Sequence, residues 1–113
     1  MSQVRVHQFE KNLVKQSGIE NRLVGTRVKT GQVLKVTHIA GAFDNCATSE
    51  YIELGYWNGH EYVELKSAVP AATSKFVHWD GEVYLREGQY IYAYYADVAS
   101  DEVMKLRANG EYV

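Results

Sequence analysis

At 113 residues and 12.8 kDa the chain has room for one domain, and 46% hydrophobic with 23% charged residues is a globular composition that excludes disorder. No apolar run approaches the roughly 18 residues of a membrane span, none opens the chain as a signal peptide would, and the single cysteine, Cys46, excludes an internal disulfide framework. The net charge of -2 hides a front part (residues 1–40) with seven basic and two acidic groups and a remainder with five basic and twelve acidic, but singly spaced cations and a pI near 6.1 disfavour a nucleic-acid-binding surface.

In chain order, residues 1–20 read as a basic N-terminal arm, with Phe9, Leu13 and Val14 ahead of Gly18 compatible with a short helical turn. Residues 21–113 read as a single β-sandwich domain. Period-two alternation rich in Val, Ile, Thr, Tyr and Phe predicts strands near 21–28, 32–43, 50–57, 60–66, 73–79, 82–86, 89–98 and 102–112. Eight strands at such intervals predict an all-β antiparallel sandwich or barrel. Ser100 and Gly110 would suit the N-cap and the stop of a helix. The alternation of Met104, Leu106 and Ala108 with Val103, Lys105 and Arg107 predicts a strand there instead.

Asn58-Gly59 predicts a two-residue hairpin loop, because a type I′ turn needs positive φ at both central positions. That loop pairs Trp57 with His60 and fixes the register behind it. Leu54 then faces Val63 and Ile52 faces Leu65 on an apolar face. On the other face Glu53 meets Glu64, Tyr51 meets Lys66, and Tyr62 covers the bare backbone of Gly55. Asp80-Gly81 predicts a second hairpin, with Trp79 opposite Glu82 and His78 opposite Val83. Phe76, His78, Val83 and Leu85 would share one face, and Val77 and Tyr84 the other. In the following strand Tyr90, Tyr92 and Tyr94 alternate with Ile91, Ala93 and Tyr95. Strands apolar on both faces predict that one face is core and the other meets a second molecule.

No reaction is written in the sequence. Ser, His and Asp occur without a G-x-S-x-G elbow or other local signature, so no catalytic residue is assigned and an enzyme is not expected. Cys46 sits in the loop-like stretch Asp44-Asn45-Cys46-Ala47-Thr48, with nothing to lower its pKa. His7, His38, His60 and His78 form no ligand-spaced pair, so neither a metal nor a cofactor is expected. The Glu53–Glu64 pairing is the local oddity, since like charges opposite one another destabilise a sheet. A cation, a basic partner, paired-carboxylate hydrolysis or plain solvent screening would each account for it.

The aromatic residues remain: 9 Tyr, 2 Trp and 3 Phe. Rings at turn tips stack on sugars or anchor protein interfaces, and cross-strand rings also stabilise a sheet by themselves. The candidate interface comprises Arg5, Phe9, Lys11 and Lys15 in the arm with Tyr51, Trp57, Tyr62, Trp79, Tyr92 and Tyr94 on the strands.

The segment Gly81-Glu82-Val83-Tyr84-Leu85-Arg86-Glu87-Gly88-Gln89-Tyr90-Ile91-Tyr92-Ala93 resembles the late strands of jelly-roll domains. Thr30-Gly31-Gln32-Val33-Leu34-Lys35-Val36 is similar to the early strand of small jelly-roll virion proteins of tailed bacteriophages, capsid decoration (cement) proteins among them. The pattern extends over roughly residues 21–113. The resemblance implies a jelly-roll-like sandwich that assembles in the host cytoplasm into a virion. It also implies a homo-oligomer, often a trimer, gripping the major capsid protein through an N-terminal arm and one sheet face. A neck, tail or fibre component is the neighbouring expectation, and a carbohydrate-binding module with a glycan as partner is the third.

Overall fold

The computed structural model describes residues 5–14, 21–43, 51–69, 76–95 and 103–113. Lys15 and Cys46 lie outside these residues, as do the side chains of Arg5 and Lys11. The described residues form eight strands and no helix: β1 (Arg5–Val14), β2 (Arg22–Val24), β3 (Leu34–Phe43), β4 (Ile52–Trp57), β5 (Tyr62–Ala68), β6 (Phe76–Leu85), β7 (Tyr90–Tyr95) and β8 (Val103–Tyr112). The first sheet runs β1-β8-β3-β6 and the second β2-β7-β4-β5. Every strand pairs antiparallel with the one whose number completes nine, and the β3–β8 and β4–β7 ladders close the sheets. This is jelly-roll order, a long antiparallel ribbon rolled into a sandwich. The expected eight-stranded antiparallel jelly roll is therefore the observed fold.

Alternation places the core between the sheets. Leu23, Ile52, Leu54, Ala93 and Tyr95 from the second sheet meet Leu34, Val36, Ile39, Leu85, Met104 and Leu106 from the first, all buried. Tyr95 spans the gap, its hydroxyl donating to the Lys105 carbonyl on β8.

Four local expectations give way to long-range pairing. First, residues 5–14 are a strand rather than a helical turn. They lie along β8 from Arg5↔Tyr112 to Val14↔Val103, with Phe9 half-buried against the core. Second, Asp80-Gly81 is no hairpin. β6 continues past it, with Gly81 and Glu82 set against Thr37 at an irregularity, because β3 offers partners on both sides, from Leu34↔Leu85 to Ala42↔Phe76. Val77, Trp79, Val83 and Leu85 consequently face inward, and Phe76, His78 and Tyr84 outward. Trp79 is thus a strand residue packed on the core rather than a ring at a turn tip.

Third, the β4–β5 turn takes four residues, and Trp57 pairs with Tyr62. The Asn58 side-chain oxygen accepts the amides of His60 and Glu61, and the Asn58 N–H donates to the Glu61 carbonyl. That side-chain-nucleated turn displaces the two-residue loop. The register slips by two, so the expected inward face survives while the partners change. Gly55 now faces Glu64, and an irregularity follows, after which Glu53 faces Ser67.

Fourth, Tyr92 rather than Tyr62 covers Gly55. A Cβ added there would meet the Val63 carbonyl and would lie 2.8 Å from the Tyr92 ring. Backbone cannot yield as a side chain can, so Gly55→Ala is expected to cost about 3 kcal/mol through overpacking. A urea melt measures it, and an unchanged midpoint would show that the Val63 carbonyl does not close over this glycine.

Candidate functional site

The two outer faces of the sandwich differ in kind. On the first sheet the outward side chains include ion pairs, Lys35 with Glu111 at 2.8 Å and Arg107 with Glu10 at 2.7 Å, and two separate exposed rings, Phe76 (44%) and Tyr84 (49%). On the second sheet they are aromatic. Antiparallel register arranges them in rows across the strands. Arg22, Tyr94 and Glu53 form one row, Val24, Tyr92, Gly55 and Glu64 the next, and Tyr90, Trp57 and Tyr62 the third.

The missing side chain at Gly55 organises this face. The Tyr92 ring drops into the gap and is fully buried, although it points away from the core. Tyr62 packs edge-on against it at 4.8 Å and also sits 4.8 Å from Trp57, and Trp57 stacks on Tyr90 at 6.3 Å. Arg22 reaches over the cluster with its guanidinium carbon 3.9 Å from the Tyr62 ring centroid and 5.3–5.4 Å from those of Tyr94 and Tyr92. Arg27 lies 4.9 Å from the Tyr90 centroid. These are cation–π distances. Tyr62 and Tyr51 remain 36% and 38% exposed, so the rings end in an accessible surface rather than a closed second core.

Polar groups rim the cluster. The Tyr92 hydroxyl donates to Glu53 at 2.5 Å. Burial, then this hydrogen bond, pushes the phenol well above its ordinary value. Although Glu53 and Glu64 are not cross-strand partners, their side chains still meet. A hydrogen bond to Glu53 is the first reason the Glu64 carboxyl is held above its usual 4.5, followed by desolvation and repulsion. A raised carboxyl pKa favours the fold below the unfolded value and loses that contribution as pH rises through the folded one. Glu64→Gln keeps a donor to Glu53 without the charge. Thermal melts across pH should therefore show the variant above the wild type at pH 7, with the gap closing below 4.5. A constant gap would exclude the shared proton.

Of the candidate interface residues, Tyr51, Trp57, Tyr62, Tyr92 and Tyr94 come together on this face, Tyr51 lying 6.3 Å from Tyr94. Trp79 and Phe9 belong to the first sheet and pack inward. Arg22 was not singled out from sequence. Its signal is its place two residues before Val24 on a short strand beside β7, which only the pairing reveals.

A second cluster stands on the outer face of the first sheet. His38 and His78 are not isolated: His38 pairs directly with Asp80, and His78 lies two residues along the same strand. His38 Nδ1 is 2.8 Å from one Asp80 oxygen and His78 Nδ1 is 3.1 Å from the other. These two hydrogen bonds hold the Asp80 carboxyl below its ordinary range. The grouping depends on an irregularity in β3, where two polar residues, Thr37 and His38, stand between the buried Val36 and Ile39. With strict alternation His38 would share the inward face of Val36.

No protein-family model matches the chain, and no curated protein matches it in sequence. Among solved structures, it is similar to a chain of the acidic stable capsid of Helicobacter pylori bacteriophage KHP30, with a TM-score of 0.61 at 11% identity. The match covers 96% of this chain and 90% of that one. The two share a fold, and the neighbour is a bacteriophage capsid protein.

Proposed function

We propose that this chain is a non-enzymatic structural protein of a bacteriophage virion, specifically a decoration protein that binds the capsid shell as a homo-oligomer and stabilises it. The observation that carries the reading is the contrast between the outer faces. One carries ion pairs and scattered rings, while the other presents clustered rings with polar groups around them, the make-up of a protein interface. The end-to-end fold likeness to a capsid chain supports the same reading.

In this role the aromatic face meets the major capsid protein. Apolar burial near 25 cal/mol per Å² supplies the gross attraction, from which the entropy of association is subtracted. A trimer presents three copies of the face, so engaging several capsid subunits adds avidity without new contact types. The shell gains stability because only the assembled state binds the ligand. The chain itself supplies no chemistry beyond contact.

The test is co-sedimentation of the purified chain with shells assembled from the major capsid protein of the same phage. Light scattering gives the oligomeric mass. Stoichiometric binding by a multimer is expected. A 12.8 kDa monomer that stays in the supernatant would sink the proposal. Binding to tails or necks but not to shells would move the protein to that part of the virion. Rings beside Glu53 and Glu64 also suit a sugar platform, so a glycan-array hit lost in Trp57→Ala would favour a carbohydrate-binding module.

A further inference from the structure

We propose that His38, His78 and Asp80 form a binding site for a divalent transition-metal ion of the zinc class, on the opposite face of the sandwich from the proposed capsid contact. The three residues each bring one ligand atom, and these atoms lie within 4.8 Å of one another. Two imidazoles and a carboxylate are a borderline ligand set, suited to zinc rather than to calcium or magnesium.

The geometry lies close to that of a metal vertex. Tetrahedral zinc with bonds of about 2.0–2.2 Å sets its ligand atoms roughly 3.3–3.5 Å apart. His38 Nδ1 and His78 Nδ1 already stand 2.8 and 3.1 Å from the Asp80 oxygens. The two distances run to different Asp80 oxygens and all three ligand atoms lie within 4.8 Å, so the ion replaces the hydrogen-bonded protons after side-chain rotations that bring both imidazoles to one vertex. Each neutral imidazole then carries its proton on Nε2 and turns the Nδ1 lone pair to the metal. Ligand exchange is all the step requires, and nothing is oxidised or reduced.

The site is held by strands rather than by a loop. His38 and Asp80 are direct β3–β6 partners, so the backbone ladder fixes their spacing. The irregularity at Thr37 turns His38 outward, a use to which β-bulges beside functional sites are commonly put. Phe76 lies 5.6 Å from the His78 ring and walls one side. Side-chain exposures of 28% at His38, 48% at His78 and 65% at Asp80 leave an open approach and free coordination positions for water.

The experiment is a calorimetric titration of the untagged full-length chain with Zn²⁺, repeated with Co²⁺ so that the visible spectrum reports the coordination geometry. One ion per chain and a tetrahedral Co²⁺ spectrum are expected. His38→Ala and His78→Ala should each weaken binding by more than about tenfold, while His60→Ala should match the wild type. Melting curves without metal check that each variant is folded, as the exposure of the trio leads one to expect. Absence of saturable uptake by the wild type would overturn the site. So would wild-type affinity in the folded His38→Ala/His78→Ala double variant. Either result would leave the trio as a hydrogen-bonded cluster alone.

Discussion

Tyr95→Ala is expected to cost the fold about 3–5 kcal/mol, the range for removing a large aromatic side chain from a packed interior. Tyr95 is fully buried at the end of β7, and its ring fills space between the sheets. Its hydroxyl donates to Lys105 on β8 and lies 3.2 Å from where a Cβ on Gly41 of β3 would stand. One side chain thus ties the second sheet to two strands of the first. Tyr95→Phe separates the contributions: it keeps the volume and is expected to cost about 0.5–1.5 kcal/mol, the net worth of the lost hydrogen bond to Lys105. Denaturant unfolding of both variants checks the order. A phenylalanine variant as stable as the wild type would remove the hydroxyl from the account, and an alanine variant losing under 1 kcal/mol would remove the whole pin.

Tyr92→Ala and Tyr62→Ala should fail in different ways, though their rings touch. Tyr92 is fully buried over Gly55, so its truncation opens a hole beneath Tyr62 and is expected to cost about 3–5 kcal/mol. Tyr62 is 36% exposed at the top of the same stack. Its truncation removes ring contacts worth about 0.5–1.5 kcal/mol and leaves the sheet intact. Unfolding free energies of the pair test this division. Equal losses would mean that the outer face is a second core, with no layer left over for a partner.

Much of the fold was legible in the sequence, for a physical reason. The division of β7 into two faces and the inward residues of β4 and β5 are legible because alternation is a local property of the strand, whereas which β7 face is the core is not. Even the wrong loop length at Asn58 left them in place, since a slip of two preserves the face. Partner choice is not local. Asp80-Gly81 carries the hairpin signal, yet β6 continues past it because β3 can pair with it over both halves. The segment around Phe9 alternates weakly and reads as an arm, and only the open edge of β8 makes it a strand. The aromatic residues of the site could be nominated singly. That Arg22 caps them, and that Tyr92 lies on Gly55, required knowing that β2 and β4 flank β7. The His38–Asp80 meeting was hidden likewise, although Val36-Thr37-His38-Ile39 shows in sequence a break in the alternation.

Two tyrosines of comparable exposure on opposite faces give the most direct test of where the protein makes its contacts. Tyr62, 36% exposed, stands in the ring cluster of the second sheet, and Tyr84, 49% exposed, on the first sheet. Truncating either to alanine removes the same atoms. The measurement is the affinity of Tyr62→Ala and Tyr84→Ala for assembled capsid shells by quantitative co-sedimentation. If the second sheet is the contact surface, Tyr62→Ala weakens binding by roughly thirtyfold or more, the effect of losing an interface anchor worth about 2 kcal/mol, while Tyr84→Ala binds as the wild type does. Full binding by Tyr62→Ala together with a loss in Tyr84→Ala would place the contact on the other face and contradict the account.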